Sequence, residues 1–372
     1  MKVLFAAGGT GGHINPALAV AGQVREQYPD SEILFVGTSN KMEARLVPAA
    51  GFDFTTITIS GFQRKLTVKN IIKNIKTVFY MIKSKFQVKK IIKSFKPDVV
   101  VGFGGYVSGP VLREACKMGI PTAIHEQNAF PGITNKALAT SVDRVMITVD
   151  AVKKHLHCKN EPILTGLPVR GEMLRADRDF SRAELGIKDD EILVLSMGGS
   201  LGAKSINNAM VDVISKNADR NGVRFLHSMG SYGLWVPEKL EEKGVKLSEH
   251  KNIEIREYIS DMDRCMSAAD IIICRAGASS LSEIEALGKA SILIPSPNVA
   301  ENHQYHNAMA LVNNGAAILI EEKNLTGDKL CEALDELISD REKREAVGNN
   351  ARKMAFLNAK ERITDIVVSL VK

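Results

Sequence analysis

The 372-residue sequence predicts an α/β protein built from two Rossmann-like, doubly wound domains, and three observations carry that prediction. Apolar, strand-like runs alternate along the whole chain with stretches of helical spacing, the pattern of parallel sheets covered on both faces. Two glycine-rich turns, "VLFAAGGTGGH" and "LVLSMGGSLGA", each follow such a run, and Gly8, Gly9, Thr10 and Gly12 match Gly198, Gly199, Ser200 and Gly202 at a constant offset of 190 residues. The length itself suits two domains, each with its own core.

In the first half the strands are read at the N-terminus and at "EILFVG", "PDVVVGFGG", "PTAIHEQ" and "DRVMITV". In the second half they are read at "EILVLSMGG", "VRFLHSMG", "NIEIREY", "ADIIICRAG" and "ASILIPSP". The stretch "PILTGLPVR", residues 162 to 170, holds two prolines and a glycine and reads as the hinge. This gives a first domain over 1–165 and a second over 166–352, with a C-terminal helix at about 353–372, "ITDIVVSLVK" included, expected to pack back onto the first domain. A ligand belongs at the carboxyl ends of the strands, in the cleft between the two sheets.

Composition narrows the class. A hydrophobic content of 45% and a net charge of +6 are those of a soluble globular protein; no apolar run spans a membrane, and the N-terminus shows no signal-peptide pattern, so a cytoplasmic location is expected. The five cysteines, at 116, 158, 265, 274 and 331, form no C-x-x-C pair and suggest neither a disulfide framework nor a zinc site. The charge is uneven: from Phe54 to Pro97 there is no acidic residue but eleven lysines and arginines, which leaves −5 for the remainder. Within that segment Ile71, Ile72, Ile75, Val78, Phe79, Ile82 and Phe86 recur at helical spacing, with Lys69, Lys73 and Lys76 off the stripe. The stripe either packs on the sheet or rests in part on an anionic membrane surface. Nucleic acid is not indicated, because the aromatics of the segment, Phe62, Phe79, Tyr80, Phe86 and Phe95, are mostly needed for packing.

A strand, a glycine turn and a helix start gather backbone N–H groups and the positive helix end at one point, which makes both loops candidate anion sites. A dinucleotide fingerprint would need glycine at Ile14 and an acidic residue closing the second strand, where none occurs before Glu43. A nucleoside-triphosphate loop would need glycine at Ala203. A nucleotide-sugar reading is left. In order, "GGTGGH", "GFGGYVSGP", "HEQN", "TGLPVR", "GGSLGA" and "RAGASSLSEIEALGKASILIP" followed by "NHQYHNA" resemble the motifs of the bacterial MurG family, within glycosyltransferase family 28, over nearly the whole chain. The resemblance implies the GT-B fold. It also implies an inverting, metal- and cofactor-independent hexosyltransferase that moves N-acetylglucosamine from UDP-N-acetylglucosamine to the C4 hydroxyl of lipid I (undecaprenyl-pyrophosphoryl-MurNAc-pentapeptide), forming lipid II for peptidoglycan synthesis. With it go cell-shape and cell-division roles and a peripheral location on the cytoplasmic face of the cell membrane. An acceptor anchored in lipid favours the membrane reading of the basic segment, with its stripe shared between core and bilayer.

The site residues follow the same motifs. A neutral imidazole at His13, at a helix start, suits proton abstraction from a hydroxyl, and the resemblance places this residue in the active site; Glu126 of "HEQN" is the competing base. The resemblance places Thr10, Gly11 and Gly12 at the substrate and Asn128 at the donor sugar. Gly104, Gly105, Tyr106 and Ser108 form a second anion cradle suited to the acceptor diphosphate. In the second half, Ser200 and Arg170 are expected at the donor diphosphate, Ile259 beside uracil, and Ala278, Ser279, Ser280, Leu281, Ser282 and Glu283 around UDP, with Glu283 on the ribose hydroxyls. Ser279 and Ser280 are candidate helix caps, and Gln304, or His303 beside it, is expected at the sugar. "DMD" at 261–263 superficially matches a metal-binding D-x-D, but Asp261 reads better as a helix N-cap. A UDP-sugar epimerase and a non-catalytic nucleotide-sugar sensor are the alternatives on the same scaffold.

Overall fold

The structure, a computed structural model, describes residues 1–61 and 67–371, and the backbone alone for 68–73, 75 and 76. It divides into two compact units, Met1–Pro168 together with Asn358–Lys372, and Val169–Leu357.

The first unit holds a seven-stranded parallel sheet: β1 (Lys2–Ala6), β2 (Glu32–Gly37), β3 (Asp53–Thr56), β4 (Val99–Gly102), β5 (Thr122–Glu126), β6 (Arg144–Ile147) and β7 (Ile163–Leu164), in the order β3-β2-β1-β4-β5-β6-β7. Its helices are α1 (Gly11–Gln27), α2 (Glu43–Ala49), α3 (Val68–Phe95), α4 (Gly105–Lys117) and α5 (Ile133–Leu138). The second unit holds a six-stranded parallel sheet: β8 (Ile192–Met197), β9 (Val223–Ser228), β10 (Ile253–Arg256), β11 (Ile271–Cys274), β12 (Ala290–Leu293) and β13 (Ile318–Leu319), in the order β10-β9-β8-β11-β12-β13. Its helices are α6 (Gly171–Arg175), α7 (Arg178–Glu184), α8 (Lys204–Asn217), α9 (Val236–Glu242), α10 (Met262–Ala268), α11 (Ala278–Leu287), α12 (His303–Val312), α13 (Gly327–Ser339) and α14 (Arg341–Met354), and α15 (Ala359–Ser369) closes the chain in the first unit.

Both sheets are buried on both faces, which is why their central strands are continuous apolar runs rather than alternating ones. In β1, Val3 and Phe5 face the layer of α1 and α15, while Leu4 and Ala6 face that of α3 and α4. Phe5 stacks on Phe35 of β2 with ring centroids 5.0 Å apart. In each unit the strand order reverses once, between β1 and β4 and between β8 and β11. A crevice opens at such a switch point, and it is there that doubly wound sheets bind ligands.

Three short strands escape the sequence pattern. β3 is "DFTT", only partly buried, and β7 and β13 are two residues each, too short to show a period. β7 lies inside the stretch expected as hinge, so the units part after Pro168 rather than after 165. Likewise α14 remains with the second unit, where Val347 and Ala351 are buried, and the return to the first unit begins at Asn358 rather than near 353. Ile363 and Val367 of α15 then join the core against α1. No cysteine is in a disulfide.

The stripe on α3 needs correction. Ile71, Ile72 and Ile75, with Lys69, Lys73 and Lys76, lie outside the described side chains. Val78, Phe79, Ile82 and Phe86 are 49, 74, 56 and 68% exposed, and the buried positions are Thr77, Ser84, Val88 and Ile92. A 28-residue helix runs about 42 Å, whereas strands of four to six residues run roughly 13–20 Å, so the sheet covers only part of its length. The spacing identified an apolar face; it could not tell that Val78, Phe79, Ile82 and Phe86, its described members, stand exposed.

Candidate functional site

In the first unit, the loops after β1 and β4 flank the switch point and press together. A Cβ on Gly105 would collide with the Gly8 carbonyl oxygen, and one on Gly104 would stand 3.0 Å from Cδ2 and 3.1 Å from Nε2 of His13. Glycine at 104 therefore makes room for the imidazole, and the φ of +97° there is one that other residues rarely adopt. His13 occupies the first turn of α1, whose N-cap is Thr10, and its Nδ1 lies 3.2 Å from the Gly8 carbonyl and 3.3 Å from the Thr10 hydroxyl. Thr10 and Gly12, in the same loop and first turn, and Tyr106, in the first turn of α4, are exposed. The structure thus brings together His13, Thr10, Gly104 and Gly105.

Two expected site residues are turned inward. Ser108 is fully buried: its hydroxyl accepts from the Gly104 N–H at 3.0 Å and lies 2.9 Å from the Ala6 carbonyl, so it shapes the turn and presents nothing to an acceptor diphosphate. Glu126 is 1% exposed, and both its oxygens are taken. Oε1 accepts from the backbone and side-chain amides of Asn128, at 3.0 and 3.2 Å, and Oε2 from Gly132 N–H and Asn135 Nδ2, at 3.0 and 2.9 Å. A carboxylate saturated by four donors holds the "EQNAFPG" loop and positions Asn128, with no acceptor site left for a substrate hydroxyl. The nearby His125 is also structural. Burial pushes its imidazole down to about 4, and it spans the Gly166 carbonyl at 2.9 Å and Gln127 at 3.3 Å.

In the second unit the loops after β8 and β11 occupy the corresponding place. Gly199 has φ +92°, matching Gly9 at +93°, and Ser200 is exposed at the tip. Ala203 is extended, with φ −133° and ψ 113°, and α8 starts only at Lys204, so no triphosphate loop forms. After β11, α11 begins at Ala278 with Gly277 as N-cap; Ser279 and Ser280 are in its first turn rather than capping it. The first-turn amides of a helix lack intrahelical partners, so Ala278, Ser279 and Ser280 offer an anion-binding end. Glu283, one turn on, accepts from Arg170 Nε at 2.8 Å. Burial pushes the Glu283 carboxyl above its usual value, and Arg170 pulls in the opposite direction.

Other expectations in this unit change. Leu281 and Ser282 are buried, Leu281 within the core, and Ile259 is 2% exposed in the same core, so as it stands it presents no surface to a base. Asp261 holds the N-cap position of α10, yet its carboxylate accepts from Arg256 at 3.0 Å rather than from the helix amides. Gln304 accepts from the Ser296 N–H at 2.8 Å, and His303 Nδ1 lies 2.9 Å from the Ala300 carbonyl. Just before them Glu301 and Asn302 adopt φ of 53° and 49°, a strained pair of the kind that clusters at ligand loops.

Residues 3–147 match the glycosyltransferase family 28 N-terminal domain, and residues 193–363 match the family's C-terminal domain. The chain belongs to glycosyltransferase family 28. A relative from Acetivibrio thermocellus, the UDP-N-acetylglucosamine–N-acetylmuramyl-(pentapeptide) pyrophosphoryl-undecaprenol N-acetylglucosamine transferase, is 44% identical, covering 100% of this chain and 99% of its own. The protein of the same name from Desulforamulus reducens is 42% identical, covering 100% and 98%. The crystal structure of Acinetobacter baumannii MurG, 30% identical, superposes with a TM-score of 0.79 over 99% of both chains. Two parallel-sheet domains of this kind are the GT-B fold of family 28.

Sequence reasoning missed the residue that shapes this family 28 member's first loop. Glu43, at the start of α2, is buried and accepts from the Gly9 N–H at 3.0 Å, the Thr38 N–H at 3.1 Å and the Thr38 hydroxyl at 2.6 Å. A signal existed: Glu43 is the first acidic residue after β2, but its lag behind the strand end argued only against a dinucleotide site.

Proposed function

We infer that this chain transfers N-acetylglucosamine from UDP-N-acetylglucosamine to the C4 hydroxyl of the MurNAc sugar of lipid I, with inversion, to make lipid II. The observation that carries this is the 44% identity over the full chain to a relative named for that reaction. The geometry supports a division of labour between the units. In the first, His13 takes the hydroxyl proton, Gly104, Gly105 and Tyr106 face the acceptor diphosphate, and Asn128 faces the donor sugar. In the second, Glu283 accepts from the ribose hydroxyls, Arg170 and the amides around Ser200 and Ala278–Ser280 bind the donor diphosphate, and Gln304 contacts the sugar. A transition state of oxocarbenium character makes stabilisation of the departing UDP as important as activation of the hydroxyl, and preorganised amides with one guanidinium supply it.

The exposed apolar face of α3 is read as a membrane contact. Val78, Phe79, Ile82 and Phe86 are flanked by the exposed lysines 83, 85, 89, 90, 93 and 96, a combination suited to the surface of an anionic bilayer. No helix among the described residues is long and apolar enough to cross a membrane. The location that follows is peripheral, on the cytoplasmic face where the nucleotide sugar is found. Flotation with anionic liposomes should show binding that weakens at high salt and in Phe79→Ser/Phe86→Ser; salt-insensitive absence of binding would remove the membrane role.

The function is tested by incubating the protein with radiolabelled UDP-N-acetylglucosamine, with and without purified lipid I. Label should enter lipid only when both are present. Conversion of the nucleotide sugar without acceptor would indicate an epimerase, and binding without turnover a sensor.

A further inference from the structure

Glu43 and His13 grip opposite sides of one peptide group. The Gly8–Gly9 peptide gives its N–H to Glu43 Oε2 at 3.0 Å and has its carbonyl oxygen 3.2 Å from His13 Nδ1. A carbonyl oxygen can only accept, so this contact is a hydrogen bond only with the proton on Nδ1, whereas the Thr10 hydroxyl, 3.3 Å from the same nitrogen, can accept from it or donate to it and fits either tautomer; the Gly8 carbonyl is the partner that selects Nδ1–H. A neutral ring protonated there carries its lone pair on Nε2, the nitrogen that lies against Gly104. Hydrogen bonds in series polarise one another: an anion on the N–H side makes the carbonyl a better acceptor for the imidazole.

The surroundings are built for this carboxylate. A Cβ on Gly8 would stand 2.8 Å from Glu43 Oε1, and one on Gly37 would stand 2.6 Å from Glu43 Cγ, so glycines at the ends of β1 and β2 clear its space. Oε1 is occupied by the Thr38 N–H and hydroxyl, which leaves Oε2 for Gly9. Burial alone would raise this carboxyl; the hydrogen bonds from Thr38 and Gly9 outweigh it and hold the group below its usual value, as the anion.

We propose that Glu43 is a positioning residue for the transfer reaction, acting through the Gly8–Gly9 peptide to fix His13 as the Nδ1–H tautomer with Nε2 facing the acceptor hydroxyl. This rests on the reading of His13 as the base. As the acceptor oxygen bonds to the anomeric carbon and the bond to UDP breaks, the hydroxyl proton passes to Nε2, and the resulting imidazolium keeps its Nδ1–H on the polarised carbonyl. The arrangement is an acid–histidine pair with a peptide unit between its members.

The test is nitrogen NMR of the protein labelled in its histidine rings, with His13 assigned by its loss in His13→Ala, alongside turnover. Wild type should show His13 protonated at Nδ1. Glu43→Gln, which keeps the shape and loses the charge, should fold, shift His13 toward a mixture with the Nε2–H tautomer, and lower kcat about 10–100-fold with KM for UDP-N-acetylglucosamine within about twofold. A folded Glu43→Gln with wild-type tautomer and kcat would overturn the proposal. So would an Nε2–H ring in the wild type, a result that needs no variant and stays decisive should Glu43→Gln not fold. The tautomer is read without turnover, so failure of the base reading shows separately, as full activity in His13→Ala.

Discussion

The two glycine loops begin alike and end differently. Gly9 and Gly199 share a φ within a degree of each other, and each loop sits at its sheet's switch point. The first then enters its helix at once, at Gly11, and its Gly9 amide is already taken by Glu43. The second runs on to Lys204, and its Gly202 packs against Met229 and Gly230 of the neighbouring loop so closely that a Cβ there would collide with the Met229 carbonyl oxygen. Among the described residues no carboxylate accepts from Gly199. A loop with a resident anion is poorly suited to bind another and well suited to orient a histidine; a loop without one keeps its amides for a pyrophosphate. Under the proposed function one motif serves two tasks, and the difference lies in what stands behind it.

Removing the group each loop serves should break the comparison most visibly. His13→Ala should lower kcat by roughly 10²–10⁴, the usual contribution of a general base, and turnover within tenfold of wild type would remove His13 from that role. Next in size is acid lability, which tests the sheets under the loops. Burial pushes His125 in β5 and His227 in β9 down to about 4 from an ordinary 6.5. The unfolded chain then binds more protons than the native one between those values. Stability should be full above pH 6.5 and fall toward pH 4, by roughly 3 kcal/mol per histidine. Urea midpoints across that range check this, and a midpoint that stays level would contradict it.

The smallest effects separate the glycines. Gly105→Ala meets both a φ of +79° and the Gly8 carbonyl, whereas Gly9→Ala meets a φ of +93° with open space around it. Thermal melts should show Gly9→Ala losing about 1 kcal/mol and Gly105→Ala losing distinctly more, roughly 2–4 kcal/mol. Equal losses would mean that the loops after β1 and β4 are not in the contact described.

Much of this was legible in the sequence because the physics is local. Long apolar runs such as "IIIC" and "VVVG" read as buried strands, and the glycine turns after them marked the strands' carboxyl ends. The second internal echo, between the loops after β4 and β11, went unseen because it is one of position and not of residues. Glu126 and Ser108 looked like site groups since their motifs carry them; only their partners, Asn135 and Gly132 for one and Ala6 and Gly104 for the other, show them as scaffolding. Glu43 was opaque for the same reason: its contacts join Gly9 and Thr38, which come together only once β1 and β2 pair. Long-range hydrogen bonds leave no period in a sequence.

Calorimetric titration of UDP into the wild type, His13→Ala and Glu283→Ala tests the division of labour most directly. Affinity should be unchanged in His13→Ala and reduced about 10–100-fold in Glu283→Ala, the worth of hydrogen bonds to a charged group. Loss of UDP binding in His13→Ala with retention in folded Glu283→Ala would contradict the account.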